Sequence, residues 1–257
     1  MRKVVATRYV TPLREGGSMP AIVEADDEGM YVLKFRGAGQ GPKALIAELL
    51  AGELARAAGL PVPEIVFMDV DVDLARTEPD PEIQELIKRS AGLNVALDYL
   101  PGSVMFDPVA RSPDPELAAA IVWFDAFVTN VDRTARNTNM LIWHRELWLI
   151  DHGAALYFHH SWSNHLERSS DPFPLIKDHV LLPFAGSIEA AGRKLGACIT
   201  PQIVRDVVAL IPDEWLLGDS PFDSSEQYRD AYIQYLLRRL QTPQAFAREA
   251  IRARSLV

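Results

Sequence analysis

Residues 130 to 153 read NVDRTARNTNMLIWHRELWLIDHG, and the rest of the chain is interpreted outward from this stretch. It opens as a polar loop holding Asp132 and Asn137, directly after a long apolar segment. Two short apolar runs follow, TNMLIW and ELWLID, separated by His144 and Arg145, a pattern that predicts a tight β-hairpin. The second run ends on Asp151, so the fold-back of the hairpin can return that carboxylate beside Asp132 and Asn137. Taken singly, each of the three is an ordinary turn or cap residue. Together they supply a carboxylate for an attacking hydroxyl and hard oxygen ligands for Mg²⁺, which are the two requirements of phosphoryl transfer.

Upstream of the loop, PELAAAIVWFDAFVTNV (115–131) predicts a helix buried on several faces. Its apolar part, 117–128, is too short to span a bilayer and carries Asp125. The first hundred residues read differently. VVATRYV, AIVEA and MYVLKF, separated by the turns EGGSM and DDEG, predict three strands of an antiparallel meander. PKALIAELLAGELARAAGL then predicts one helix over about 43–58, with Pro42 in its first turn and Gly59 at its C-terminal cap. PVPEIVFMDVDV reads as a strand pair or a bent strand, ARTEPDPEIQELIKRS as a surface excursion with a short helix, and GLNVALDYLPGS as a strand ending at Pro101 and Gly102. The β character is expected to stop there.

Lys34 interrupts an otherwise apolar strand, and a lysine in that setting needs a partner for its head. Glu48 on the following helix is the expected partner, with Glu53 as a competitor further along. Such a pair would aim an ammonium at the phosphates of ATP. The turn Gly16-Gly17-Ser18 lies between two strands and can lay backbone N–H groups over those phosphates, although a plain hairpin turn is equally simple.

Downstream of Gly153, a loop rich in His, Ser, Asn and Pro (157–180) leads into helices near 186–195, 200–209, 223–239 and 242–253. His159, His160 and His165 lack the spacing of a metal site. Trp123, Trp143 and Trp148 each sit inside an apolar run and read as core aromatics. Across the 257 residues the formal net charge is -9, which is not the footprint of a nucleic-acid binder. A polyanion such as ATP can still bind where Mg²⁺ and placed cations invert the local field. Cys198 is the single cysteine, so no intrachain disulfide forms, and the N-terminal residues do not read as a secretory signal. A reducing, cytoplasmic setting with no membrane association is the expectation.

The order of strand, Gly turn, strand with V-L-K-F, helix with Glu, linker L-D-Y-L-P-G, then D-x-x-x-x-N and I-D-H-G resembles the HipA-like kinases, the short members in particular. The D-R-x-x-x-N form is also similar to lipid kinases of the phosphatidylinositol type. This resemblance implies a two-lobed α+β protein-kinase-like fold, with a β-rich N-lobe (1–100), a helical C-lobe (101–257) and ATP between them. It implies that Asp132 is the base or hydroxyl-orienting carboxylate, that Asn137 and Asp151 hold Mg²⁺, and that Lys34, supported by Glu48, holds the α and β phosphates. Adenine would lie against Asp98, Tyr99 and Leu100, through backbone groups.

The chain departs from ordinary protein kinases at Asn130-Val131, at His152 and at Thr134, where protein kinases carry His-Arg, Phe and often a lysine for the γ-phosphate. Arg133 and Arg136 are both candidates for that last role. The acceptor implied first is a protein serine or threonine hydroxyl, with a small-molecule or lipid hydroxyl as the alternative. A nucleotide-binding pseudokinase scaffold is the rival from another class, although such proteins commonly lose the lysine or one of the two aspartates retained here. An antitoxin-like protein partner is compatible with the resemblance.

Overall fold

The computed structural model describes residues 1–13, 19–39, 41–216 and 220–257. The first part is mixed but strand-rich: β1 (Lys3–Pro12), β2 (Ala21–Ala25), β3 (Met30–Lys34), α1 (Pro42–Ala57), β4 (Ile65–Val70), α2 (Pro81–Arg89) and β5 (Gly92–Asp98). The expected meander is present in β1 to β3, but it does not stay open. The strands close into a five-stranded barrel in the order β1-β2-β3-β5-β4, with β1 and β4 running parallel from Lys3 opposite Phe67. Closure leaves no unpaired edge in this sheet. Two register shifts in β1, at Ala6/Arg8 and Tyr9/Thr11, supply local bending.

The segment 61–72 forms one strand, not a pair. After β4 the chain turns into a 3₁₀ helix at Val72–Thr77, started by Asp71, whose carboxylate accepts the Asp73 N–H at 2.8 Å. Alternation decides what each strand shows to each side. Tyr31 and Leu33 join Val4, Val23, Val66, Met68 and Ala96 in an apolar cluster with Ile83 and Ile87 of α2. Ile65, Val95 and Leu97 belong instead to a second, larger cluster with α1 and the helices that follow.

α1 is buried on nearly every face, including Leu45, Ile46, Leu49, Leu50 and Leu54. Its end is a Schellman cap. The Leu60 N–H reaches the Ala55 carbonyl at 2.9 Å and the Gly59 N–H reaches Arg56 at 3.0 Å, with Gly59 at φ 80°, a value that glycine tolerates best.

The remainder is largely helical: α3 (Pro115–Phe127), α4 (His165–Arg168), α5 (Ile188–Cys198), α6 (Pro201–Val208), α7 (Asp213–Leu216), α8 (Ser225–Gln241) and α9 (Gln244–Arg254). Strand structure does not stop at Pro101, however. β6 (Val104–Met105) pairs with β7 (Met140–Trp143), which pairs with β8 (Glu146–Leu149), giving a three-stranded sheet. A two-residue strand carries too little pattern to be recognised before its partner is known. Trp123 is a core aromatic, stacked on Phe127 at 5.7 Å. Trp143 and Trp148 are not: both are half-buried, packed edge to face on each other at 5.6 Å along the hairpin. Among the described residues no helix is long and apolar enough to cross a membrane.

Candidate active site

Lys34 ends β3 on the side opposite Tyr31 and Leu33, in register with Val95 and beneath α1. Only 9 % of the residue is exposed. Its Nζ lies 2.8 Å from Asp151 Oδ1 and 3.8 Å from Glu48 Oε2. Burial opposes the charged ammonium, but the two carboxylates outweigh it and raise the lysine pKa above its ordinary value. Glu48 is itself buried, which would push its carboxyl up. Lys34 and the contacts from His152 win and hold it at about 2. The His152 N–H donates to Glu48 Oε2 at 3.0 Å, and the His152 ring sits 3.4 Å from Oε1. Glu53 is excluded as the lysine partner, because it pairs with Arg56 at 2.7 Å on its own helix.

The Asp132 loop is built by short-range bonds. Asn130 Oδ1 accepts the Asp132 N–H at 3.2 Å, and Thr134 and Asn137 exchange backbone bonds at 2.9 and 3.2 Å. This folds the loop so that Asn137 Nδ2 donates to Asp132 Oδ2 at 2.7 Å, with Asn139 Nδ2 at 3.4 Å from the same oxygen. Asn137 Oδ1 is thereby left free to meet a cation. The hairpin is fastened to this loop where the Ile150 N–H donates to the Asn139 carbonyl at 3.0 Å. His144 and Arg145 at its tip both have positive φ, 48° and 69°, as the mirror-image two-residue turn requires. Asp151 follows Ile150 at φ 54° and remains partly exposed.

Behind the loop lies a buried charge network that the sequence did not reveal. Asp125 of α3, fully buried, takes Arg133 Nε at 2.6 Å, His179 Nε2 at 2.8 Å and Asn130 Nδ2 at 3.1 Å. Burial alone would raise the Asp125 carboxyl, but Arg133 and His179 hold it well below the usual carboxylate range. Arg133 also reaches the carbonyls of Asn139 and Ile150. Its guanidinium therefore faces inward and fastens the loop to the hairpin, whereas Arg136 stays exposed. One signal was available: a carboxylate inside an apolar helix has to find a buried partner.

The linker residues are committed in part. The Asp98 N–H bonds the Glu64 carbonyl at 2.8 Å and the Tyr99 N–H bonds Met30 at 3.0 Å, which leaves Leu100 with the one uncommitted amide of the three. Gly16, Gly17 and Ser18 lie outside the described residues. His159 is buried against the Tyr232 hydroxyl at 3.0 Å, and no group of three or more His, Cys, Asp or Glu among the described residues is placed to hold a metal ion by itself. Asp132 and the Asn137 bonded to it instead offer a carboxylate and an amide oxygen. That donor set suits Mg²⁺ shared with phosphate oxygens, since this ion keeps few protein ligands.

A family model described as HipA-like kinase matches residues 7–249. Among solved structures, the chain is similar to the crystal structure of a Helicobacter pylori proinflammatory kinase, CtkA. The TM-score is 0.52 and the identity 15 %, over 92 % of this chain and 94 % of that one. At that identity the likeness speaks for the fold, a mixed α+β arrangement with a strand-rich N-terminal region and a helical C-terminal region. No curated protein matches the sequence. With the family match running from β1 into α9, the chain belongs to the HipA-like kinase family.

Proposed function

We propose that this kinase transfers the γ-phosphoryl group of Mg-ATP to a hydroxyl, in the first place that of a protein serine or threonine. The observation that carries the reading is the contact of Lys34 Nζ with Asp151 Oδ1 at 2.8 Å, which joins the barrel to the hairpin that is tied to the Asp132 loop. Residues 1–100 would act as the smaller lobe and 101–257 as the larger, with nucleotide between them.

In this mechanism Lys34, aimed by Glu48, neutralises the α and β phosphates. Asp132 orients the acceptor hydroxyl and receives its proton, and Asn137 keeps that carboxylate in place. Asn137 Oδ1 and Asp151 would hold Mg²⁺, whose charge offsets that of the phosphates. The uncommitted Leu100 N–H would meet the adenine edge, and the exposed Arg136 would be the cation for the γ-phosphate. Positioning and charge stabilisation thus account for most of the rate gain.

The test is transfer of label from γ-³²P-ATP, with and without Mg²⁺, to protein and metabolite pools, comparing wild type with Asp132→Asn. Magnesium-dependent labelling that disappears in the variant is expected. Equal labelling by both proteins would remove Asp132 from the chemistry, and labelling confined to metabolites would move the acceptor to a small molecule.

A further inference from the structure

Away from the centre just described, a cavity of about 560 Å³ opens between the first turn of α1 and the segment that follows Gly153. Its wall carries Lys43, His160 and His165, the serines Ser161 and Ser163, and Trp162, and among the described residues no carboxylate lines it. In a chain of net charge -9, an ammonium set among hydroxyls and imidazoles is a lining suited to an anion. Lys43 forms no ion pair among the described residues. His160 lines the same cavity, and partial burial together with the Lys43 charge disfavours its imidazolium. His165 Nδ1–H donates to the Trp162 carbonyl at 3.0 Å, so the opposite nitrogen, Nε2, is the one left for a ligand. Trp162 and Phe222, 5.0 Å apart and edge to face, add an apolar wall.

We propose that this cavity is a binding site for a phosphate monoester. One ammonium with two hydroxyls on the same wall matches an anion that has several acceptor oxygens, and the volume leaves room for the esterified group against the aromatic wall. Lys43 supplies the point charge, the serine hydroxyls donate, and His165 presents Nε2 to the ester. The site adjoins the kinase centre: the Ala44 carbonyl, next to Lys43, lies 3.7 Å from where a Cβ on Gly153 would be. A phosphate bridging Lys43 and His165 would clamp the segment to the helix that carries Glu48.

The phosphate has two sources, a phosphorylated ligand or the chain's own Ser161 or Ser163, both exposed. The second rests on the proposed kinase function. There the serine Oγ forms a bond to the γ-phosphorus of ATP as the bridging P–O bond to the β-phosphate breaks, ADP leaves, and the hydroxyl proton passes to Asp132.

The test titrates the ATP-free protein with inorganic phosphate and with phosphoserine, followed by two-dimensional NMR, with thermal melting to confirm that each variant is folded. Saturable binding is expected in wild type and in Asp132→Asn, weakened about tenfold by Lys43→Met and by His165→Gln and kept by Lys43→Arg. Retention in Asp132→Asn separates this site from the kinase reading, because that variant is expected to lose turnover alone. After incubation with Mg-ATP, phosphate on Ser161 or Ser163 with loss of free-phosphate binding assigns the site to the chain's own ester. Unmodified serines with binding intact assign it to a separate ligand. Absence of binding, or equal binding by Lys43→Met, overturns the proposal.

Discussion

Lys34 Nζ is closer to Asp151 Oδ1, at 2.8 Å, than to Glu48 Oε2, at 3.8 Å. The lysine proposed for the phosphates is thus held by the carboxylate proposed for the metal. Nucleotide and Mg²⁺ entering together would separate this pair, each charge exchanging its partner for one of opposite sign on the ligand.

Replacing Lys34 by Met is expected to abolish turnover and to destabilise the fold by about 3–5 kcal/mol, because Glu48 is left buried without its cation. Lys34→Met combined with Glu48→Gln should recover part of the stability and none of the activity. Chemical denaturation of the two single variants and the double variant, set beside ATP turnover, reads both effects, and additive stability losses would show that the pair is not coupled.

Asp132→Asn is expected to lower kcat by about 10² to 10⁴-fold while leaving ATP affinity nearly unchanged. The fold should persist, since an amide oxygen can still accept from Asn137 Nδ2 at the 2.7 Å position. Steady-state kinetics with a thermal melt checks this. A raised KM with normal kcat would recast Asp132 as a binding residue.

Asp125→Asn is expected to cost about 3–5 kcal/mol, because Arg133, 1 % exposed, would lose the anion that balances it. Arg133→Lys should not substitute for arginine, since a lysine cannot serve Asp125 and the Asn139 carbonyl with one planar fork. Urea denaturation measures both variants, and a change under about 1 kcal/mol in either contradicts the role of this network in holding the loop.

Acid should weaken the protein in a defined window. Glu48 titrates near 2 in the fold against an ordinary 4.5, and Asp125 is also depressed. The unfolded chain therefore takes up protons first as pH falls. The contribution of Glu48, roughly 3 kcal/mol, is full above about 4.5 and is lost on the way down to about 2. Denaturation midpoints measured from pH 6 to pH 3 should fall for wild type and flatten in Glu48→Gln; parallel curves would contradict the assignment.

Where local pattern carries the information, sequence and structure agree. The hairpin around His144 and Arg145, the helix from Pro42 with its Gly59 cap, and the Lys34–Glu48 pair were legible because a period, a cap or a misplaced charge marks each one. The barrel closure between β1 and β4, the short strand β6 and the half-exposed Trp143 and Trp148 were not legible, because each depends on which distant strand or helix lies alongside. Arg133 shows the same limit inside the site. Its sequence position allowed it to face a phosphate, and only the depth of Asp125 in α3 turns it inward.

By itself, then, the sequence determined the residue types and spacings: a lysine in a strand, a glutamate on the next helix, and two aspartates and an asparagine around a hairpin. Tertiary structure alone decided that Lys34 meets Asp151, that Arg133 binds Asp125 and that Lys43 and His160 line one cavity. The physical reason is range. Periodicity and capping act over a few residues, whereas burial pairs charges brought together from far apart in the chain, and the low dielectric there makes each pairing obligatory.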